Sequence, residues 1–282
     1  RAAAHRAFVS EICPTMGGGV EEAAEAVLQV AEEKMAGFIR RNLALKGLGP
    51  SEVSLVAFGG AGPLHGAALA SALGIRQVMV PYLAAGFSAL GCLLTAPGRT
   101  VQVPCGGPLA TWTDEALRAR ILQACPEAEA AHRALLVAGL RRGRNPAEEV
   151  VTVPFPQGAT VAALASAYRA AARLPRGLAD ARDLILASLL VRTEEAHDPP
   201  DVKAGLAATL EAAREIRAGR PLPPPRVVRV GGREVTAPVL PVEAIGDEVR
   251  GPALVEIPGG TVLVPPGARG GVDRWGTLTL EV

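Results

Sequence analysis

The stretch that decides the fold runs Val53-Ser54-Leu55-Val56-Ala57-Phe58-Gly59-Gly60-Ala61-Gly62-Pro63-Leu64-His65. It opens with a short apolar run rich in valine, which is typical of a buried strand in a parallel sheet. The small residues that follow allow a tight backbone turn, and the composition from Leu64 to Leu73 favours a helix closed by Gly74. The segment Gln77–Val80 predicts a second strand. These elements form a strand, glycine turn, helix and strand unit of an α/β fold.

A long helix is predicted before this unit. After a hinge at Gly17–Gly19, apolar residues recur at intervals of three and four, which places them on one helical face. They are Val20, Ala24, Val27, Leu28, Ala31, Met35, Phe38 and Ile39. The spacing fits a helix of about seven turns. Its end is expected near Gly47–Pro50, where glycine releases the backbone and proline forbids continuation.

After the glycine-turn unit, the pattern of apolar and polar residues changes twice along the chain. Between about residues 114 and 218, alanine-rich amphipathic helices alternate with strand-like segments, which indicates an α+β region. The predicted helices are Asp114–Ala124 and Val161–Arg173, and the predicted strands lie around Val150–Pro154 and Leu184–Arg192.

A stiff proline-rich linker, Arg220–Pro225, precedes the last part of the chain. Short β runs separated by glycine turns follow it and predict a small β-rich module. These runs are Arg226–Val230, Val235–Val239, Ala253–Ile257, Thr261–Val264 and Thr277–Val282. We therefore predict an α/β lobe over residues 1–105, an α+β region over 106–220 and a C-terminal β module over 221–282.

Composition excludes several classes of protein. With 282 residues, 49% of them hydrophobic, the chain has enough apolar surface for a folded core. It carries 29 basic and 28 acidic residues, so its net charge of +1 suits neither nucleic acid nor an anionic membrane surface.

Cysteine usage and hydropathy predict a reduced, cytoplasmic protein. Cys13, Cys92, Cys105 and Cys125 have neither the spacing of a zinc or redox site nor the density of a disulfide scaffold. No apolar run reaches the roughly 20 residues that a membrane span requires, and the start of the chain has no signal-peptide pattern. The first residue is Arg rather than Met, so a preceding segment is expected to be missing or to belong to another chain.

The glycine turn is the first candidate site. Small residues between a strand and a helix let a ligand approach the backbone, with exposed amide hydrogens and the helix dipole facing an anion or a nucleotide. The alternative is a tight turn whose glycines serve packing alone.

The spacing of charged residues narrows the nucleotide alternatives. A dinucleotide-binding fold needs an acidic residue about 20 positions after the glycine turn. Neither Asp nor Glu occurs between Glu52 and Asp114, so the sequence does not fit a dinucleotide site. A Walker-type loop is excluded because no Gly-Lys-Ser/Thr follows the glycines. Phosphoryl transfer also needs Mg²⁺ ligands. This segment can therefore contact a nucleotide but cannot run the chemistry by itself.

Two histidines have both a functional and a structural interpretation. His65 lies one turn into the predicted helix, where it either reaches a ligand or serves capping and packing. His197 follows Glu194 and Glu195 and precedes Asp198, but its proline-rich surroundings favour a solvated loop over a metal site.

Four other side chains have simpler interpretations. Ser88 is predicted to cap a helix, since its context is not a nucleophile elbow. Cys92 is predicted to pack within its apolar run. Arg40 and Arg41 either solvate the long helix or stack on an adenine ring.

Two blocks of motifs together resemble the hydantoinase A/oxoprolinase family. The first comprises Ala57–His65, Leu73-Gly74-Ile75, Val80-Pro81 and Gly86-Phe87-Ser88-Ala89-Leu90-Gly91. The second comprises Gly251–Glu256, Thr261-Val262, Val264-Pro265-Pro266-Gly267 and Val272–Gly276, and is similar to the family's C-terminal β module. Two blocks in the right order are more specific than either alone.

The resemblance implies an actin-like, ribonuclease H-like ATPase that drives cleavage of a small cyclic amide or, in relatives, carboxylation of a ketone. Residues 1–105 would be its adenosine-side lobe, with Gly59, Gly60, Ala61, Gly62, Pro63 and His65 against the adenosine side of ATP. The phosphate-binding and Mg²⁺-positioning motifs of the family are missing from this chain. They are expected in a missing N-terminal half or a partner subunit, and a hydantoinase B-type subunit is the further expected partner.

The middle of the chain departs from the family pattern. The family's arginine-tyrosine-glycine-glutamine stretch is replaced by Arg141-Arg142-Gly143-Arg144-Asn145, and Ala167-Tyr168-Arg169 has no histidine nearby. A non-catalytic or degenerate subunit of a hydantoinase or ketone carboxylase-type complex is therefore the alternative. A sugar or acetate kinase lobe is a third.

Overall fold

The structure is a computed structural model that describes residues 2–143, 148–157, 159–174, 179–246 and 248–282. Arg144 and Asn145 of the altered middle motif lie outside the described residues. The α-helices are α1 (Ala2–Ala7), α2 (Cys13–Met16), α3 (Val20–Leu45), α4 (Gly62–Leu73), α5 (Phe87–Leu94), α6 (Asp114–Ala124), α7 (Val161–Ala171) and α8 (Val202–Arg217). The strands are β1 (Leu55–Val56), β2 (Gln77–Val80), β3 (Gly98–Gln102), β4 (Arg133–Arg142), β5 (Glu149–Phe155), β6 (Leu184–Glu194), β7 (Arg226–Val230), β8 (Arg233–Ala237), β9 (Val239–Pro241), β10 (Val249–Arg250), β11 (Ala253–Ile257), β12 (Gly260–Val264), β13 (Arg269–Val272) and β14 (Leu278–Glu281).

Contacts divide the chain into two compact units. The first combines the residues up to Cys92 with Asp201–Val282, and the second is Leu93–Pro200. The predicted domain bounds of 1–105, 106–220 and 221–282 rest on changes in residue pattern along the chain. They remain a prediction.

The first unit is built on a mixed five-stranded sheet in the order β1-β2-β14-β13-β10. β1 and β2 are parallel, while β14 runs antiparallel to β2 and pairs Leu280 with Val78. The C-terminal β runs therefore extend the sheet of the first lobe, in addition to forming the separate sheet β12-β11-β9 and the hairpin β7-β8.

Helix α4 packs on this sheet through small residues. An added Cβ at Gly66 would lie 3.0 Å from Ala57 Cβ and 3.1 Å from Val78 Cγ1, so glycine is what permits the close approach. Leu69, Ala70 and the strand residues share one apolar core. The glycine turn is thereby held at the end of β1.

The second unit has one antiparallel sheet in the order β3-β6-β4-β5. Its core is formed mainly by leucine, valine and alanine side chains from this sheet, α6 and α7. Thr113 and Thr160 begin the two helices by accepting hydrogen bonds from the amides of Ala116 and Ala163.

Most predicted elements are confirmed, with changes at their ends. The helix predicted from Val20 spans 26 residues, and the strand predicted at Gln77–Val80 has those bounds. The run Val53–Phe58 forms a ladder over only Leu55–Val56. The run Val235–Val239 is interrupted at Pro238, which has no amide hydrogen to donate to a ladder.

Two long elements were not predicted. β4 spans Arg133–Arg142 at the centre of the second sheet, between β6 and β5. Helix α8 begins after Asp201, whose carboxylate accepts a hydrogen bond from the Ala204 amide. That capping residue is the local signal from which the helix was predictable.

Two predictions about α5 are wrong. Ser88 lies inside the helix as its second residue, so it does not cap the helix from outside. Cys92 is exposed and does not pack within its apolar run. No described helix combines the length and apolar character that a membrane span needs.

Candidate functional site

The glycine turn is anchored to the loop that follows β2. Gly59 has a φ of +83°, a left-handed conformation that favours glycine. Its amide donates a hydrogen bond of 2.7 Å to the Ala84 carbonyl oxygen. Because β1 and β2 are parallel, both loops lie at the carboxyl edge of the sheet, where α/β folds commonly bind ligands.

The backbone of the turn offers hydrogen-bond donors. Ala61 precedes α4 without a side-chain cap, and Pro63 in the first turn has no amide hydrogen. The Leu64 amide donates to the Ala61 carbonyl at 3.1 Å. Within the described part of the chain, the amides of Gly60, Ala61 and Gly62 have no protein acceptor. The N-terminal end of α4 therefore presents free amides and the positive end of its dipole.

Open space surrounds the turn. An added Cβ at Gly59 or Gly60 would meet no atom of the described residues within 4 Å, so a ligand can reach the backbone at both residues. Neither residue is therefore glycine for packing reasons, although Gly59 needs its left-handed φ.

A third loop reaches the same place. An added Cβ at Gly260 would lie 3.7 Å from the Gly60 carbonyl oxygen, and one at Gly259 would lie 2.9 Å from Ala85 Cβ. In the sequence, Gly259-Gly260 is one of the glycine turns between the predicted β runs, here between Ala253–Ile257 and Thr261–Val264. Its place beside Gly60 depends on contacts between residues about 200 positions apart, so no local signal revealed it.

Aromatic side chains line the edge beside the turn. The rings of Phe58 and Phe87 are 5.3 Å apart between centroids and are tilted by 53°, a favourable arrangement for an aromatic pair. An apolar cavity of about 260 Å³ lies next to them. Its aromatic walls are Tyr82, Phe87 and Trp275.

Tyr82 fixes the loop after β2. Its hydroxyl donates a 3.0 Å hydrogen bond to Glu243 Oε1. Burial, with a smaller effect from the Glu243 carboxylate, raises the pKa of Tyr82 to about 12. The phenol therefore stays neutral and keeps donating at physiological pH.

The structure places the predicted side chains of His65 and Arg40 at opposite ends of α4. His65 Nδ1 lies 2.9 Å from Glu32 Oε1 of α3, and the imidazole is 14% exposed. Arg40 donates a 3.3 Å hydrogen bond to the Ala72 carbonyl oxygen at the far end of α4 from the turn. This contact lies about ten helical residues from the turn, at about 1.5 Å per residue, and the adenine-stacking interpretation of Arg40 and Arg41 stays a prediction.

The predicted loop at His197 has no regular secondary structure, and His197 Nε2 lies 3.2 Å from the Leu93 carbonyl oxygen. Among the described residues, no group of three or more His, Cys, Asp or Glu side chains is arranged to hold a metal ion. The turn residues Gly59–Pro63 themselves carry no carboxylate, so they do not fit the ligand set of Mg²⁺.

Comparisons with known proteins find relatives of one part of the chain. Residues 1–100 match the family described as Hydantoinase/oxoprolinase. The acetone carboxylase beta subunit of Xanthobacter autotrophicus is 36% identical over 86 residues, which are 30% of this chain and 12% of that protein. The caprolactamase subunit alpha of Pseudomonas jessenii is 34% identical over 95 residues, which are 34% of this chain and 14% of that protein.

Two solved structures share the fold. A nucleotide-free acetone carboxylase structure has a TM-score of 0.57 and 23% identity, over 99% of this chain and 42% of that chain. The ATP-dependent caprolactamase of Pseudomonas jessenii has a TM-score of 0.65 and 21% identity, over 100% of this chain and 43% of that chain. This chain thus spans less than half the length of these solved chains. The similarity to the hydantoinase/oxoprolinase family is thus shown for residues 1–100 of this chain.

Proposed function

We propose that this chain contributes the adenosine side of the ATP site in an ATP-dependent hydrolase of small cyclic amides, of the hydantoinase/oxoprolinase type. The observation that carries the proposal is the open glycine turn at the amino end of α4. Three amides without an acceptor among the described residues, and two glycines with free space around them there, suit the close approach of a nucleotide.

In this proposal Gly59, Gly60, Ala61, Gly62 and Pro63 pack against the nucleotide, and the lobe has the actin-like arrangement. His65 acts behind them by holding α4 to α3 through Glu32. The names of the solved relatives support ATP use, since one describes ATP-dependent acetone carboxylation and the other an ATP-dependent caprolactamase.

ATP, when bound, would supply the phosphoryl-transfer chemistry that activates the substrate. This chain's own residues would bind and orient the adenosine part. The Mg²⁺ ligands and phosphate-binding motifs belong to a further polypeptide segment, in the same chain or in a partner subunit. The curated relatives are named as subunits, which also supports a partner of the hydantoinase B type.

The second candidate is a subunit that keeps the fold without turnover. Tyr168, in the altered middle motif, is buried within α7 and so is not free to touch a substrate. Burial raises the pKa of its phenol, which keeps it neutral.

Calorimetry with a non-hydrolysable ATP analogue and Mg²⁺ tests the proposal. We expect weak binding by the isolated chain and binding at least tenfold tighter by the complete gene product, or by its complex with the products of adjoining genes. Absence of nucleotide binding by the complete assembly rejects the ATP site. Binding without release of an opened amide from a panel of lactams and hydantoins favours the non-catalytic subunit.

A further inference from the structure

Helix α3 carries an apolar row that the described residues leave uncovered. Its members follow one another at alternating intervals of three and four positions: Leu28, Ala31, Met35, Phe38, Asn42 and Leu45. All six are exposed, and Phe38 and Leu45 are 70% and 68% exposed. We refer to this row as the α3 seam. At about 1.5 Å per residue it is roughly 25 Å long.

The spacing of the seam is that of a helix–helix contact. Apolar residues at alternating intervals of three and four form the contacting stripe of a coiled coil, whose helices cross at about 20°. Helix α3 already has one stripe in the core of its own unit, since Ala36 is buried and Ile39 packs against the same cluster. The seam is a second stripe beside it. A helix with two apolar stripes packs against two neighbours, and the described residues cover only the first stripe.

The extent of the seam separates it from ordinary surface residues. Single exposed apolar side chains are common on folded proteins, whereas a contiguous apolar row marks an interaction site. Asn42 is its polar member, and Asn42 Nδ2 donates a 2.9 Å hydrogen bond to the Phe38 carbonyl oxygen. A partner can therefore cover the seam without leaving Nδ2 unpaired.

Basic side chains flank the seam on one side. Lys34 and Arg41 are seven positions apart and exposed, and neither has an ion-pair or hydrogen-bond partner within the part of the chain that the structure describes. Helical periodicity places both on the flank away from α4, because Glu32, which contacts His65 of α4, lies on the other flank. The open flank of the seam is therefore positive. A helix that covers the seam brings its own flanking charges up to these two cations.

We propose that the α3 seam binds an amphipathic helix of a partner subunit, whose apolar residues pack along the seam and whose acidic side chains pair with Lys34 and Arg41. The apolar spacing identifies the partner element as a helix, and the two unpaired cations identify the charge beside its apolar stripe. The proposal rests on the proposed function in one respect, since that function places this chain in an enzyme of several subunits. The seam residues all lie on α3, and none belongs to the glycine turn.

A second copy of this chain is the poorer occupant. In an antiparallel pair of α3 helices, the flank with Lys34 and Arg41 faces the same flank of the other copy, so like charges meet. In a parallel pair, that flank faces Ile39 and Lys46, and neither of these carries a carboxylate. The remaining polypeptide of the complete gene product is the other alternative, and the experiment below distinguishes it.

Hydroxyl-radical footprinting of the complete gene product, alone and assembled with the subunits that the adjoining genes encode, tests the seam. Met35 and Phe38 have reactive side chains, and both are exposed. We expect both to be oxidised readily in the gene product alone and at least fivefold more slowly in the assembly. Equal oxidation in the two samples overturns the proposal. Protection in the gene product alone also overturns it, in favour of a second copy where it rises with concentration and of the same polypeptide where it does not.

A zero-length cross-link tests the acidic flank of the partner. A carbodiimide joins the Lys34 amine directly to a carboxylate in contact with it. We expect mass spectrometry of the assembly to find Lys34 joined to an Asp or Glu of a partner-subunit helix. Lys34→Arg is the matched control, since it keeps the charge and the association but removes the amine. Absence of a Lys34 cross-link, or a link only within the same polypeptide, overturns the pairing.

Paired substitutions measure what the seam contributes. Phe38→Ser should weaken association with the partner subunit at least tenfold, since a large aromatic side chain in a contact stripe carries much of its binding energy. Ile216→Ser is the matched control, because Ile216 is 63% exposed on α8. Both side chains are mainly exposed, so both variants should fold. Equal weakening by the two variants, or by neither, overturns the proposal.

Charge reversal tests the pairing with the cations. Arg41→Glu should weaken association at least threefold, and less so at high salt, which screens the contact. Arg120→Glu is the matched control, since Arg120 is an exposed arginine of α6. Equal effects of the two reversals overturn the pairing. A protected seam in an assembly that binds no nucleotide keeps this inference and rejects the proposed ATP site, whereas nucleotide binding by an assembly with a reactive seam does the reverse.

Discussion

The imidazole Nδ1 of His65 lies 2.9 Å from the Glu32 carboxylate and joins the first turn of α4 to the middle of α3. Both side chains are mostly covered, at 14% and 26% exposed, so the contact is only weakly screened by water. The ionisable residue nearest in sequence to the glycine turn is thus committed to a helix–helix contact.

Removing this contact should destabilise the fold. We expect His65→Ala to lower the free energy of unfolding by about 1–2 kcal/mol, because it leaves a partly buried carboxylate without its partner. Glu32→Gln should cost less, since an amide still offers a hydrogen bond. Urea unfolding measures both, with Glu33→Gln on the exposed side of α3 as the control. An unchanged midpoint for His65→Ala would show that the contact contributes nothing.

Blocking the turn should abolish nucleotide binding without unfolding the protein. A leucine at Gly60 meets no protein atom near its Cβ and needs no left-handed φ, so Gly60→Leu should fold normally while occupying the ligand's space. We expect at least a tenfold loss of affinity for the ATP analogue in calorimetry on the complete assembly. Gly246→Leu is the control, since Gly246 is equally open but distant in sequence. Equal affinities for both variants would remove Gly60 from the site.

The packing of α4 predicts opposite effects for two helical glycines. Gly66→Ala puts a Cβ 3.0 Å from Ala57 Cβ, so α4 must move from the sheet at a cost of about 1–3 kcal/mol. Gly205→Ala in α8 meets no neighbour and should stabilise the protein by about 0.5–1 kcal/mol through helix propensity. Thermal unfolding compares the two. A stabilised Gly66→Ala variant would contradict the close approach of α4 to β1.

Tyr82 predicts a loss of stability in alkaline solution. The folded-state pKa of about 12 lies above the ordinary value of 10.0, so the folded protein holds the phenol proton more tightly than the unfolded chain does. This contribution is complete below about pH 10 and is lost as the pH rises toward 12, by up to about 2 kcal/mol. Urea unfolding at pH 8 and pH 11 measures it. The difference between the unaltered protein and Tyr82→Phe should shrink as the pH rises, and a constant difference would contradict the assignment.

The cysteines predict an order of alkylation. Cys92 is exposed, whereas Cys125 is fully buried and burial, with a smaller effect from Glu127, raises the pKa of its thiol. Iodoacetamide should therefore modify Cys92 at least tenfold faster, since the exposed thiolate is the reacting form. Peptide mass spectrometry follows both sites. The two rates should converge in urea, and similar rates in the folded chain would place Cys92 in the interior.

Local patterns were sufficient for the unit around Gly59. A valine-rich run, a glycine turn and a helix closed by Gly74 are decided by short-range backbone preferences, so Gln77–Val80 and the helix ending at Leu73 were predicted where the structure has them. The spacing of apolar residues also predicted the length of α3, but it did not predict which side of α3 contacts α4. Periodicity reports that a face is apolar and does not report what covers it.

The sequence by itself therefore determined most of the elements, the glycine turn and the resemblance of the first hundred residues to the hydantoinase/oxoprolinase family. Only the tertiary structure decided that β14 pairs with β2, that Gly259–Gly260 reaches Gly60, that Arg40 contacts the C-terminal end of α4, and that β1 is an edge strand among the described strands. The physical reason is that a strand's neighbours are chosen by burial and backbone pairing between residues distant in sequence. Helix caps and turns, by contrast, are chosen by residues within a few positions of one another.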